Sequence, residues 1–189
     1  MRKIIVYIAT SADGYIARAD GDVAWLNRPR TAGDYGMRAF YKSIDTVLLG
    51  RKTYDLALKF GQESYLGKKN YIFSRRRRRK RAPNVEFVPG EIDAFAQQLR
   101  SVAGRDIWLV GGAELVAAFL DAGQIDEFMI HVVPVFIGAG LPLIAPRHRQ
   151  IGLELLACEN YADGVVKLHY RVLRQETERT KASKQVSPD

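Results

Sequence analysis

Two short stretches combine residue types that could do chemistry, 49-LGRKTY-54 and 110-VGGAEL-115. In each, glycine follows an apolar run with strand character and precedes a run with helical spacing. A crossing of this kind leaves the first N–H groups of the helix unpaired, at the positive end of its dipole, and so makes a seat for phosphate. Arg51, Lys52 and Thr53 add side-chain donors at the first crossing, and Gly111 and Gly112 allow close approach to the backbone at the second. Two such seats suit a molecule with separated phosphate groups, such as a dinucleotide. The pattern is neither G-x-G-x-x-G nor Walker A: 11-SADGYIA-17, after the first apolar run, fits neither. A third stretch, 74-SRRRRRKRAP-83, holds seven consecutive basic residues, Arg75 to Arg81.

Those seven residues account for most of the charge. The 189-residue chain has a formal net charge of +8, and without Arg75–Arg81 it falls to +1. The basicity is one loop rather than a basic face. Aromatic residues do not interleave with the run, which argues against a surface that stacks nucleic-acid bases. A composition of 47% hydrophobic and 26% charged residues is that of a soluble, globular chain. The single cysteine, Cys158, excludes an intrachain disulfide framework and fits a reducing, cytoplasmic setting. The segment 1-MRKIIVYIATS-11 reads as a buried first strand rather than a signal peptide, and no window is apolar enough to span a membrane. His131, His148 and His169 do not suggest a metal site, and Cys158 has no paired histidine for nucleophilic catalysis.

The elements that must position the two crossings follow from hydrophobic periodicity. Strands are expected at 3–10, 46–50, 70–74, 85–88, 106–110, 125–137 (interrupted by Pro134), 153–161 and 164–173. Helices are expected over 34–44, 51–60, 91–103 and 113–123, with Gly123 as a stop. Residues 11–22 and 138–144 read as loop and turn. Strands and helices alternate to about residue 125, and strands alone follow. This is an α/β architecture: one domain over 1–173, with a mostly parallel central sheet flanked by helices and an antiparallel C-terminal hairpin. Residues 174–189 lose nearly all apolar character and read as a disordered tail.

The chain resembles the dihydrofolate-reductase-like fold. In particular it resembles small stand-alone proteins related to the reductase domain of bifunctional riboflavin-biosynthesis deaminase/reductases. The resemblance covers about residues 3–173 and rests on 11-SADGYIA-17, 45-DTVLLGRKTYD-55, 107-IWLVGGAEL-115 and 125-IDEFMIHVVPVFIGAGLPLI-144. It implies an NADPH site. Ala9 would offer its backbone to the nicotinamide carboxamide, and Ile16 would pack near the ring. Gly50, Arg51, Lys52 and Thr53 would hold the adenine-side phosphates. Ser74, Arg75 and Arg76 would flank the 2′-phosphate, where charge-assisted bonds separate NADPH from NADH. Gly111, Gly112, Ala113, Glu114 and Leu115 would line the pyrophosphate, with a cis peptide at the paired glycines. A homodimer through the C-terminal strands is also implied.

Reduction of a C=N bond needs a proton as well as a hydride, and a carboxyl group or a water that it orients can supply one. The resemblance points to Asp34, whose other reading is a helix N-cap. Asp13 is the competitor, with a turn residue as its other reading. Trp25, Leu26, Tyr35 and Arg38 are the expected substrate-side residues. Arg28, Arg30 or Arg147 could bind a substrate phosphate, and spacing singles out none of them. The function these residues point to is NADPH-dependent reduction of a small pteridine- or pyrimidine-like heterocycle. One alternative is the 5-amino-6-(5-phosphoribosylamino)uracil reductase of riboflavin biosynthesis. The other, of a different class, is a non-catalytic nucleotide- or polyanion-binding protein that uses Arg75–Arg81.

Overall fold

In the computed structural model, which describes residues 1–28, 33–75, 82–89 and 91–174, the first apolar run forms β1 (Ile4–Ser11). Ile4 and Val6 point into one core, and Ile5 and Tyr7 into another. Burial on both faces is what a central strand requires, and it explains the unbroken apolar run. The chain continues through β2 (Tyr15–Ala17), a 3-10 turn at Ala24–Leu26, α1 (Met37–Ser43), β3 (Ile44–Gly50), α2 (Arg51–Lys59), β4 (Lys69–Phe73) and β5 (Val85–Val88). Then come α3 (Ile92–Ser101), β6 (Asp106–Gly111), α4 (Ala113–Asp121), β7 (Glu127–Val133), β8 (Leu141–Pro142), β9 (Leu153–Asn160) and β10 (Val166–Val172).

Eight strands form one sheet in the order β5-β4-β3-β6-β1-β7-β10-β9. The first six in that order run parallel, and β10 is antiparallel to both β7 and β9. The α/β fold, its mostly parallel sheet and its antiparallel C-terminal hairpin are as the sequence implies. Helices α3 and α4 cover one face through Ala96, Leu99, Val116 and Phe119, and α1 and α2 cover the other through Phe40 and Tyr54. The helix after β1 and the helix after β6 therefore lie on opposite faces. The carboxyl ends of β1 and β6 are thus a topological switch point, where open α/β sheets take ligands.

The differences from expectation are local. The first helix begins at Met37 rather than residue 34, because Tyr35 and Gly36 adopt positive φ values of 54° and 84°. β7 ends at Val133: Pro134 has no N–H to continue the ladder, and Val135 N–H turns back to the Val133 carbonyl at 2.7 Å. The loop and turn expected at 11–22 and 138–144 instead contain the small pair β2–β8, too short for periodicity to reveal. Gly123 does stop α4: at φ 65° its N–H reaches Leu120 at 3.0 Å, and Gln124 N–H reaches Phe119 at 2.8 Å. Arg174, the first residue of the expected tail, pairs with Asp126 at 3.3 Å, and 175–189 lie outside the described residues. No helix among the described residues is long and apolar enough to cross a membrane.

Phe119 is fully buried and meets Phe73 edge-on at 5.4 Å between centroids. Phe119→Ala should lower the free energy of unfolding by about 3–5 kcal/mol in urea titration. A loss below about 1 kcal/mol would mean that the α4 face is not a close-packed core.

Candidate functional site

β3 and β6 are neighbours, and Leu49 is in register with Gly111, so the two glycine crossings emerge side by side. A Cβ built on Gly50 would stand 3.5 Å from the Gly111 carbonyl oxygen, and one on Gly112 would stand 3.2 Å from Thr53 Oγ1. Side chains at these positions would fill the cradle between the strands. The Gly111–Gly112 peptide is cis. Neither Gly50 nor Gly112 supplies a side-chain cap, so the N–H groups that begin α2 and α4 are not capped by these residues' side chains; in α4 the Leu115 N–H turns back to the Gly112 carbonyl at 2.9 Å. Thr53 stands by Gly112, and Leu115 is buried against Gly50. Lys52 is exposed; Arg51 pairs with Asp55 at 2.5 Å and Glu114 with Arg147 at 3.3 Å. Ala113 accepts a backbone bond from Ala145 at 3.2 Å. Ser74 and Arg75 follow β4, whose Phe73 is in register with Gly50, so they continue the same edge. Arg76, like the rest of the run through Arg81, lies outside the described residues, as does Arg30.

Next to this edge the sheet opens. β1 pairs with β6 at Ile4 and Ile5, whereas it stays paired with β7 as far as Ser11. Where β1 and β6 part, Trp108 Nε1 donates to the Tyr7 carbonyl at 3.0 Å and closes the bottom of the gap. Above it is a cavity of about 360 Å³ floored by Tyr7, Ala9, Trp108 and His131. Its walls include Leu26, Arg28, Asp34, Tyr35 and Val165. A wider recess of about 690 Å³ lies at the opposite, amino-terminal edge, between Arg2, Lys68 and Asn84. The smaller cavity is the candidate site, because ligands of open α/β sheets bind at carboxyl ends. In the wider recess, Arg2 and Lys68 are engaged by Asp45 and Thr46 and by the chain's own carbonyls.

Tyr35 is the hub of the cavity. It is the non-glycine residue with positive φ among the described residues. Its carbonyl accepts from Tyr7 Oη at 2.9 Å and lies 3.2 Å from His131 Nε2, and its own hydroxyl donates to the Asp163 carboxylate. Three long-range contacts thus hold a conformation that sterics disfavour. Burial raises the Tyr7 hydroxyl far above its ordinary range, with Tyr161 and Asp34 adding to the effect. Tyr161 is pushed up to about 12 by burial and by Glu159. Burial holds His131 below 6.5, although the Tyr35 carbonyl pulls the other way.

The two candidate carboxylates are both committed. Asp34 lines the cavity and accepts from the backbone N–H groups of Arg38 at 2.8 Å and Gly36 at 3.0 Å. Those bonds, that of Arg38 first, lower its pKa. Asp13 accepts from Ser11 Oγ at 2.5 Å and Gly138 N–H at 2.7 Å, and is lowered chiefly by Ser11. It ties the loop after β1 to the loop after β7. Among the expected substrate residues, Leu26 and Tyr35 line the cavity. Trp25 is buried behind its wall, with Val133 and Val165, and Arg38 is exposed. Ala9 lies on the floor, and Ile16 lies on β2 outside the lining residues.

Sequence reasoning missed Tyr7, Trp108 and Asp163, and considered His131 only in setting aside a metal site. The available signal was register: Ala9, His131, Lys167 and Glu159 occupy one row across β1, β7, β10 and β9, and therefore one face. A histidine whose folded pKa lies below its unfolded value keeps its full stabilising effect above about pH 6.5, and loses it as pH falls toward the folded value. Tyr7, Tyr35, Lys167 and Glu159 face His131 from the packed elements. The urea midpoint should therefore drop between about pH 7.5 and about pH 5, and His131→Gln should shrink that drop. An equal drop in both proteins would assign the dependence to other groups.

Comparison with known proteins extends the geometric picture. The family model described as RibD C-terminal domain matches residues 2–167. YwjB, an uncharacterized protein of Bacillus subtilis (strain 168), is 38% identical over 170 residues, covering 89% of this chain and 97% of YwjB. A crystal structure from Shewanella sp. PV-4, provisionally named for riboflavin biosynthesis, is 26% identical with a TM-score of 0.82, covering 91% of this chain and 99% of that one. Dihydrofolate reductase from Enterococcus faecalis, solved with NADP(H), shares the fold at 11% identity and a TM-score of 0.66, covering 90% and 96%.

Proposed function

The chain belongs to the RibD C-terminal domain family, whose fold is dihydrofolate-reductase-like, and from that premise we propose that it is an NADPH-dependent oxidoreductase. Its substrate is a small pteridine- or pyrimidine-like heterocycle. The observation that carries this reading is the placement of the two uncapped glycine crossings side by side, next to a cavity at the switch point of the sheet.

The cradle suits a dinucleotide because it offers two sets of backbone N–H groups and no obstructing side chain. Gly50, Arg51, Lys52 and Thr53 hold one phosphate region, and Gly111, Gly112, Ala113, Glu114 and Leu115 line the pyrophosphate. Ser74 and Arg75, with Arg76, take the 2′-phosphate. When bound, the nicotinamide supplies the hydride. Ala9 and Ile16 orient that ring, and Leu26 and Tyr35 hold the heterocycle above Trp108 and exclude water. Arg38 acts through its backbone N–H, which keeps Asp34 ionised. An ionised carboxylate does not donate a proton, so Asp34 serves by orienting a water at the cavity wall. Asp13 supports the loop beneath Ile137 and Gly138. Riboflavin-pathway reduction is the specific variant that the name of the Shewanella protein favours. A homodimer through the edge strand β9 would cover the exposed Leu153 and Leu155.

Titration of NADPH and NADH, followed by nicotinamide fluorescence, tests the reading. Selective NADPH binding is expected, and no binding of either would overturn it. Arg75→Ala should weaken NADPH about 10-fold or more and leave NADH nearly unchanged. Equal loss for both would remove the 2′-phosphate assignment. Asp34→Asn should lower turnover about 10²-fold with cofactor affinity intact. Unchanged turnover would transfer the proton step to another group.

A further inference from the structure

The recess at the amino-terminal edge of the sheet carries more positive than negative charge. Its described lining includes three cations, Arg2, Lys68 and Lys69, and one carboxylate, Asp45. Arg2 and Asp45 neutralise each other in a direct ion pair, and the Arg105 N–H adds a bond to Asp45 at 2.8 Å. Lys68 and Lys69 have no ion pair among the described residues, and Asp45 attracts Lys69 only at longer range.

Lys68 is the unusual member of this set. It is 9% exposed, and its ammonium lies 4.3 Å over the Tyr41 ring. It donates to the Tyr41 carbonyl at 2.6 Å and to the Ile44 carbonyl at 2.7 Å, where α1 ends. An ammonium has three N–H donors, so one is left over. A buried charge without a counter-ion is costly, and burial accordingly lowers the Lys68 pKa, with Arg105 adding to the effect. The wall that carries the two lysines is fixed in place. Asn70 is buried and accepts from the Tyr65 N–H at 2.8 Å, and Asn84 donates to the Lys68 carbonyl at 3.0 Å.

We propose that this recess is a second ligand site, and that it takes the phosphate group of a small phosphorylated molecule. Lys68 and Lys69 supply two positive charges to balance a dianion, and lysine serves phosphate well as a point charge. Ser64 adds a hydroxyl to the lining. A volume of about 690 Å³ exceeds what a bare phosphate fills, and Leu66, Pro83 and Ala103 offer apolar wall to the uncharged remainder of the ligand. The site is separate from the glycine crossings. Lys69 opens β4, and Phe73, in register with Gly50, closes it about 13 Å away at the usual rise per residue.

Lysine reactivity in the full chain tests the site. Acetylation by acetic anhydride is followed residue by residue by mass spectrometry, with ribose 5-phosphate, ribose and inorganic phosphate as probes. Lys52, exposed at the first glycine crossing, is the internal reference. At several times its dissociation constant, ribose 5-phosphate should slow acetylation of Lys68 and Lys69 about 5-fold or more, and ribose should not. Lys69→Gln should abolish the protection of Lys68, and Lys68→Met that of Lys69, with thermal melting as the check on folding. If Lys68→Met does not fold, Lys69→Gln decides alone. Protection confined to Lys52, equal protection by ribose, no protection, or protection that survives Lys69→Gln would each overturn the proposal. Protection by inorganic phosphate without any by the ester would mean an adventitious ion only, and would overturn it as well.

Discussion

Everything in the site follows from β1 keeping one neighbour and losing the other. Its hydrogen bonds to β7 continue to Ser11, while its pairing with β6 lies at Ile4 and Ile5. A gap in a sheet exposes backbone groups that must find partners. Trp108 meets that demand at the base by donating its indole N–H to Tyr7. Above the indole the gap has no such plug, and there the apolar sheet gives way to a lined cavity. The glycine crossings at the ends of β3 and β6 border the opening, so crossings and cavity share one edge.

The second constraint is the conformation of Tyr35. A bulky residue with positive φ is disfavoured, and here it is over-determined by Tyr7, His131 and Asp163, which belong to β1, β7 and the β9–β10 turn. That knot fixes where α1 begins and hence where Asp34 sits. The carboxylate of Asp34 satisfies the first N–H groups of α1, so its low pKa is a consequence of how the helix starts. The capping and cavity-wall roles of Asp34 coexist in one residue.

The two glycine crossings were legible in the sequence because they are local: an apolar run, a glycine and a helical period lie within six residues of one another. The parallel sheet was legible for the same reason, from the alternation of runs. The cavity was only partly so. Leu26 entered through resemblance and Tyr35 as a residue that could face pocket or core, whereas Trp108 and Asp163 carry no local mark of their roles. Tyr35 meets His131 across 96 residues of chain and Asp163 across 128. Contacts at such separation depend on register and on where a strand stops, which composition and spacing do not encode. Arg28 stood equal with Arg147 in the sequence, and only their different partners distinguish them.

The β9–β10 turn has an evolutionary consequence. Its Asp163 holds both Tyr35 and Arg28 from the turn that joins the two strands at the β9 edge of the sheet, outside its parallel part. Lengthening or reshaping that hairpin tip would re-aim a phenol and a guanidinium together while the two glycine crossings stayed untouched. Relatives could therefore diversify in the lining of the cavity through insertions and deletions at a point remote in the gene, without disturbing the parallel strands or the glycine crossings at their ends.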